Sequence, residues 1–273
     1  MFPLPTELAC PSTDPGPVAV EIITAGTIRS KWQQVVNDGT KGVVTLPMLV
    51  GVLRHPDALL TVDSGLGQQN RSGAQPGFPL SLMGDLEVPP GATVVEQLGR
   101  APDRVLMTHL HYDHVGGLLD MPGAEVWLSE AEWSAYGGGK LGFSRRRFVP
   151  NHTWRVVDFE GPSSSKIMGL PAEDVMGDGS IYLLSLPGHT PGAAAVLVRG
   201  TDGPTLFVGD TAWVDAHLGT AMRPWYVSAV IDAERHAHKQ SLAWARRVKA
   251  QCPNVRIVAG HEPRWTQPPQ APR

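Results

Sequence analysis

Apolar residues along this chain fall into short runs separated by stretches rich in Gly and Pro. Some runs alternate with polar residues, as half-buried strands do. Others are continuous over four to seven positions, as strands buried on both faces are. Residues 18–28 (VAVEIITAGTI) alternate. Residues 42–55 and 57–65 read as a second and third strand, joined by the turn signal His55-Pro56-Asp57. Residues 93–99 read as a short helix leading into a compact apolar strand at 103–108. Another strand is expected at 125–129, then a helix opening with Ser129-Glu130-Ala131-Glu132-Trp133, whose acids suit a first helical turn. Three strands follow within 180–210. The helical pattern is clearest over 232–251, opened by Asp232, where Ala233, Ala237, Leu242, Ala245 and Val248 can share an inward stripe. Residues 254–263 close the pattern with a strand ending in a His.

No internal repeat is evident, though the order β-rich, helix, β-rich, helix suggests two halves within one folded unit, 18–265. It is preceded by a Pro-rich arm, 1–17, and followed by a tail, 266–273, expected to be disordered. Two loops stand out, 65–91 and 137–152. Loops of such length in compact domains are commonly lids or binding loops.

Composition narrows the class. With 273 residues, 42% of them hydrophobic, the chain can bury a large core. No apolar run reaches the length of a membrane span, and MFPLPTELAC lacks the features of a secretory signal. The net charge of -3 argues against a nucleic-acid partner. Only Cys10 and Cys252 are present, so the fold is expected to stand without disulfides and the protein to be soluble and cytoplasmic. One feature is unusual: of ten histidines, three fall within six residues.

Those three lie in Thr108-His109-Leu110-His111-Tyr112-Asp113-His114, directly after the 103–108 strand. In an extended segment His109 and His111 point to the same side. The chain then turns, so Asp113 and His114 face a point slightly further on. Four such side chains crowd one ion but suit two ions side by side, about 3.5–4 Å apart. His189, Asp210 and His261 each follow a later apolar strand. Strand carboxyl ends are where ligands gather in open sheets with parallel strands. A lone His after a strand is ordinarily structural, but four strand ends in order, each bearing a metal-ligand residue, form a strong signal.

On these residues the chain resembles the metallo-β-lactamase superfamily from about residue 20 to 265. The resemblance implies an α/β fold, an αββα sandwich of two mixed sheets flanked by helices. It implies that His109, His111 and His189 bind one divalent ion, that Asp113, His114 and His261 bind a second, and that Asp210 bridges them. Asp63 would sit beside the metals without ligating them. Zinc is the foremost metal, with iron, manganese or cobalt as the other candidates. A water between two such ions is acidified towards neutral pH, and Asp113 would carry its proton to the leaving group.

Length, the phrase His109-Leu110-His111-Tyr112-Asp113-His114-Val115-Gly116-Gly117 and the His261 ending look most like the N-acyl homoserine lactone lactonase branch. The expected activity is hydrolysis of a lactone or related carboxylic ester by a metal-bridging hydroxide. A glyoxalase II-like thioesterase is the alternative, with an iron persulfide dioxygenase or a β-lactamase further behind. That branch usually carries a Tyr three residues after the bridging Asp, where it can meet the lactone carbonyl. Here the position is Trp213, which is expected to contact substrate, with Tyr226 or His217 as a replacement donor. Phe78, Leu80, Leu82, Met83, Phe143, Phe148, Met222 and Trp225 give the loops an apolar character. It suits a small substrate with an acyl or ring portion, and also fits a homodimer contact. Arg145-Arg146-Arg147 reads as a solvated basic loop.

Overall fold

The computed structural model describes residues 8–71, 83–136, 152–161 and 164–265. Two mixed sheets pack face to face with helices outside each, the expected sandwich. The first sheet holds β1 (Ala19–Lys31), β2 (Val43–His55), β3 (Ala58–Val62), β4 (Asp85–Glu87), β5 (Arg104–Leu106), β6 (Glu125–Ser129) and β7 (Thr153–Val157), in the order β4-β1-β2-β3-β5-β6-β7. The second holds β8 (Ser165–Ile167), β9 (Leu170–Asp174), β10 (Ile181–Ser185), β11 (Ala194–Gly200), β12 (Gly203–Phe207) and β13 (Arg256–Val258), in the order β13-β12-β11-β10-β9-β8. Helices are α1 (Trp32–Val35), α2 (Val94–Leu98), α3 (Tyr112–Val115), α4 (Glu130–Tyr136), α5 (Trp225–Ile231) and α6 (Arg235–Gln251).

The period-two geometry of strands sorts neighbouring residues into different layers. Leu60, Leu106, Val196, Val198 and Phe207 meet between the sheets. Leu59, Val105 and Val126 turn outward beneath Leu110, Leu118 and Leu128. Ala195, Leu197 and Ile257 turn the other way, onto Leu242, Ala245 and Val248 of α6. The uniformly apolar strands are thus those buried on both faces.

Strand directions gather the later site. β3 runs parallel to β5. In the other sheet β10 and β12 both oppose β11, and β13 is parallel to β12. The carboxyl ends of β10, β12 and β13 therefore lie along one edge.

Three expectations change. Strands β4, β7, β8 and β9 were not anticipated: β4 lies within the expected 65–91 loop and pairs with β1, β7 is largely exposed, and β8 and β9 join through Met168 and Gly169, both at positive φ. That is the geometry of a tight hairpin, formed here without its usual Asn-Gly or Asp-Gly. The long helix begins at Arg235, and Ala233 lies exposed outside it. Asp232 therefore does not open it.

The third change concerns the cysteines. Cys10 and Cys252 form a disulfide with Cα atoms 5.6 Å apart. Cys252 ends α6, so the bridge ties the arm to the second sheet's helix layer. The arm is also anchored by Gly16 N–H donating to Gly200 O over 3.0 Å and by Leu8 packing on the core beneath α6. Spacing could not show this pairing, because 242 residues separate the partners. Disulfides persist where surroundings are oxidising, so the cytoplasmic expectation loses the support it drew from the cysteine count. Among the described residues no helix is long and apolar enough to cross a membrane. The tail, 266–273, and the loop residues Phe78, Leu80, Leu82, Phe143, Arg145, Arg146, Arg147 and Phe148 lie outside the described residues.

Closing so long a loop restricts the unfolded chain, a contribution of about 2–4 kcal/mol for typical bridges. Cys252→Ser, or reduction of the parent, is expected to lower the unfolding free energy by that amount in denaturant titrations. Reduction of the Ser variant should then change nothing further.

Candidate metal centre

After β5 the chain passes through Thr108, His109 and Leu110 without regular structure, and His111 sits at the N-cap of α3 with φ -71 and ψ 155. Asp113 and His114 occupy the first turn of that helix. His189, Asp210 and His261 follow β10, β12 and β13. Two glycines permit these turns. Gly209, at φ +49, precedes Asp210, and a Cβ there would lie 2.8 Å from Thr108. A Cβ on Gly188 would meet the His238 backbone nitrogen at 2.0 Å, so only glycine lets the His189 loop lie against α6.

The seven expected ligands converge. His109, His111, His189 and Asp210 form one group and Asp113, His114 and His261 another, with ligand atoms in each group within 4.8 Å of one another. Asp210 reaches both. Its Oδ2 lies 3.2 Å from His189 Nε2 and 3.9 Å from His109 Nε2. Its Oδ1 lies 3.1 Å from His261 Nε2 and 3.2 Å from His114 Nε2. Asp113 Oδ2 lies 3.6 Å from His261 Nε2 and 3.8 Å from His114 Nε2.

The donor set fits divalent metals. His109 Nε2, His114 Nε2 and Asp210 Oδ1 are buried without a well-formed hydrogen bond, and each such atom costs about 1–3 kcal/mol unless something compensates it. Imidazole and carboxylate donors suit zinc, iron, manganese or cobalt. Burial, with His114 and His111 nearby, holds the His109 imidazole well below its usual pKa, which leaves a neutral ring able to donate a lone pair.

The other ring nitrogens are tied to fixed partners, which sets ring orientation. Asp63 Oδ2 lies 2.7 Å from His114 Nδ1 and also accepts from Thr108 Oγ1 at 2.8 Å, while Oδ1 accepts from Thr108 N–H at 2.7 Å. Asp63 thus sits beside the ligands, in a left-handed conformation at φ 61. His261 Nδ1 faces Pro47 O at 3.0 Å. His189 Nδ1 lies 2.9 Å from Asp232 Oδ1. Burial pushes the Asp232 carboxyl up, but Arg223, His189 and His238 outweigh it and hold it well below the usual range. A residue that read as a helix opener is instead the anchor of a candidate metal ligand, His189.

Glu132 has a role that the sequence reading did not give it. It stands in the first turn of α4, as expected, and its carboxylate is buried. It accepts from Leu110 N–H at 2.8 Å, Thr190 Oγ1 at 2.6 Å and Gly192 N–H at 3.1 Å. It therefore braces the His109–His114 loop against the His189 loop. The only local signal is that Ser129, whose Oγ accepts Glu132 N–H at 3.0 Å, takes the capping place.

The expected substrate contacts divide. Trp213 is buried beside the cluster, but its Nε1–H donates to Asp210 Oδ2 at 2.7 Å. Tyr226 is half-exposed on α5 and its hydroxyl donates to Gln33 O at 3.0 Å, so the structure does not bring it to the cluster. His217 is buried with both nitrogens engaged, by Val35 O and Trp213 N–H. Met83 alone of the named first-loop residues is described, and it lines the cleft over the cluster with Ile28, Ser30, Leu46, Tyr112, Trp213 and Ile231. Met222, Trp225 and Tyr226 are exposed.

Comparison with known proteins gives a consistent picture. A family model described as the metallo-beta-lactamase superfamily matches residues 46–261. The N-acyl homoserine lactonase AttM of Rhizobium radiobacter is 25% identical over 272 residues, covering 93% of this chain and 97% of its own. The human acyl-coenzyme A thioesterase MBLAC2 is 28% identical over 171 residues, covering 60% and 58%. Among solved structures, an N-acyl homoserine lactone hydrolase with the product N-hexanoyl-L-homoserine at its catalytic metal center superposes with a TM-score of 0.69. It shares 17% identity and covers 90% of this chain and 93% of its own.

Burial pushes the Glu132 carboxyl from its usual value near 4.5 to about 7, against the pull of Thr190, Leu110 and Gly192. A carboxyl so raised binds more protons when folded, so the stability it contributes is greatest below pH 4.5 and falls as pH rises towards 7. Glu132→Gln removes this titration. Between pH 5 and 7 the parent should lose up to about 1.4 kcal/mol per pH unit relative to the variant, measured by urea unfolding. Parallel profiles would mean that Glu132 stays ionised throughout.

Proposed function

Because the chain belongs to the metallo-β-lactamase superfamily, we propose that it is a hydrolase that uses two divalent metal ions, zinc foremost, to open a lactone or cleave a related carboxylic ester. The observation that carries this reading is Asp210. One buried carboxylate presents one oxygen to His109 and His189 and the other to His114 and His261. Five imidazoles and two carboxylates in this arrangement are a donor set for two ions, and two such ions, when bound, supply an acidified water and a Lewis acid for an ester carbonyl.

The residues take distinct parts. His109, His111 and His189 would hold one ion and Asp113, His114 and His261 the other, with Asp210 shared between the two sets. Asp63, Thr108, Asp232 and the Pro47 carbonyl keep the rings aimed. Asp113, with 12% of its side chain exposed against 5% or less for His114 and His261, is the acid group of its set that opens onto the cleft. It takes the proton from the attacking water and returns it to the leaving alcohol.

The walls support an uncharged substrate with an acyl or ring portion. Ile28, Leu46, Met83 and Ile231 line the cleft, and no Lys or Arg is among its described lining residues. Similarity to AttM across 93% of the chain supports the lactone in particular. Similarity to MBLAC2 favours a thioester as the second reading.

The purified protein is expected to carry about two divalent ions per chain, read by elemental analysis. Turnover on acyl homoserine lactones, plain lactones, aryl esters and acyl thioesters should rank an uncharged lactone or ester first. A leading thioester would replace the ester reading. Asp113→Asn should lower kcat by roughly 10²–10⁴ with the fold retained by circular dichroism; near-normal turnover would remove Asp113 from proton transfer.

A further inference from the structure

The indole of Trp213 has one hydrogen-bond donor, and it is directed into the ligand cluster. Nε1–H meets Asp210 Oδ2 at 2.7 Å, in a side chain only 6% exposed. Among the described residues no other side chain outside the ligand set donates to this carboxylate. Oδ2 is the oxygen facing His189 and His109, while Oδ1 faces His114 and His261 and accepts no well-formed hydrogen bond.

The ring itself is clamped. Trp213 N–H donates to His217 Nδ1 at 3.2 Å, and Trp213 O accepts from His261 N–H at 2.7 Å. The guanidinium of Arg223, also buried, lies 4.4 Å from the ring centroid. Arg223 donates through Nη1 to Asp232 Oδ1 at 2.6 Å and through Nη2 to the Asp210 carbonyl. Asp232 in turn holds His189, whose Nε2 returns to Asp210. The contacts close a ring: Asp210, Trp213, Arg223, Asp232, His189 and Asp210 again.

We propose that Trp213 is a positioning residue of the metal centre, whose indole N–H fixes the rotation of the Asp210 carboxylate so that each oxygen faces its own ion. It does not meet the substrate carbonyl. A carboxylate on a short side chain can otherwise rotate about its terminal bond, and a rotated Asp210 would serve one ion at the expense of the other. Arg223 maintains the arrangement by stacking on the ring and bonding both Asp232 and the Asp210 backbone. The inference rests on the two-ion reading above.

Two variants test it. Trp213→Phe removes the donor and retains a ring for Arg223, and replacement of Trp213 by the isosteric 3-benzothienylalanine exchanges only N–H for sulfur. Zinc is loaded and withdrawn with a chromophoric chelator, and KM is measured on the preferred ester. Loss of an orienting partner should weaken retention of one of the two ions by about 10–100-fold, with KM within about twofold of the parent's. Both ions held as tightly as in the parent would overturn the proposal, as would a raised KM with zinc retention unchanged, which assigns the indole to substrate. The benzothienyl protein decides the matter even if the Phe variant does not fold. A parent that binds no divalent ion removes the two-ion reading and this inference together, whereas a parent with two ions and variants with two equally tight ones removes this inference alone.

Discussion

A carboxylate buried among imidazoles is the constraint on which the centre depends. Taking Asp210 out of water costs several kcal/mol, and burial accordingly pushes its carboxyl up. His261, His114 and His189 outweigh that and hold it well below the usual range. The surrounding rings must then be kept where they offset this cost, and each is kept by a partner of its own: Asp63 for His114, Asp232 for His189, a main-chain carbonyl for His261. Asp63 adopts a left-handed backbone to do so, a conformation tolerated by Asp more readily than by most residues. Local backbone cost is accepted where it aims a charge.

The residues that converge at the candidate centre were legible in the sequence because each stands at a punctuation mark. All follow apolar strands and lie at turns with nearby glycine, and strand ends are short enough for motif and element to be read together. The sandwich was legible through the family resemblance that those strand ends carry, and mostly apolar strands such as β3 and β11 agree with it. What was not legible depends on distance in sequence. Asp232 looks like a helix opener until folding sets it against His189, and Glu132 is the first-turn acid it looks like, but only the fold shows that it reaches the backbone of Leu110 and the hydroxyl of Thr190. Arg223 carries no local signal, because its partners Trp213 and Asp232 take their places only in three dimensions. The Cys10–Cys252 bridge joins residues with nothing between them in sequence to announce it. Strands β4 and β7 to β9 were missed for a different reason: β4, β7 and β8 lie at sheet edges, where exposure blurs the apolar pattern.

The position at Trp213 shows how one residue type redirects a site. A Tyr hydroxyl projects from the end of its ring, whereas the indole donor lies on the flank of a broader one. With Arg223 stacked on its face, the indole is turned towards Asp210 rather than the cleft. Around the candidate ligands the cleft is lined by the aliphatic Ile28, Leu46, Met83 and Ile231 together with Ser30, Tyr112 and Trp213.

The two sheets contribute unequally to the centre. His109, His111, Asp113 and His114 hang from the first, and His189, Asp210 and His261 from the second. Neither sheet alone carries either of the two candidate ligand groups, since the first borrows His189 and Asp210 and the second borrows His261. The centre is therefore a seam rather than a pocket within one layer. A cation bound there acts as a rivet through both sheets, so occupancy and docking of the halves are one equilibrium viewed from two sides.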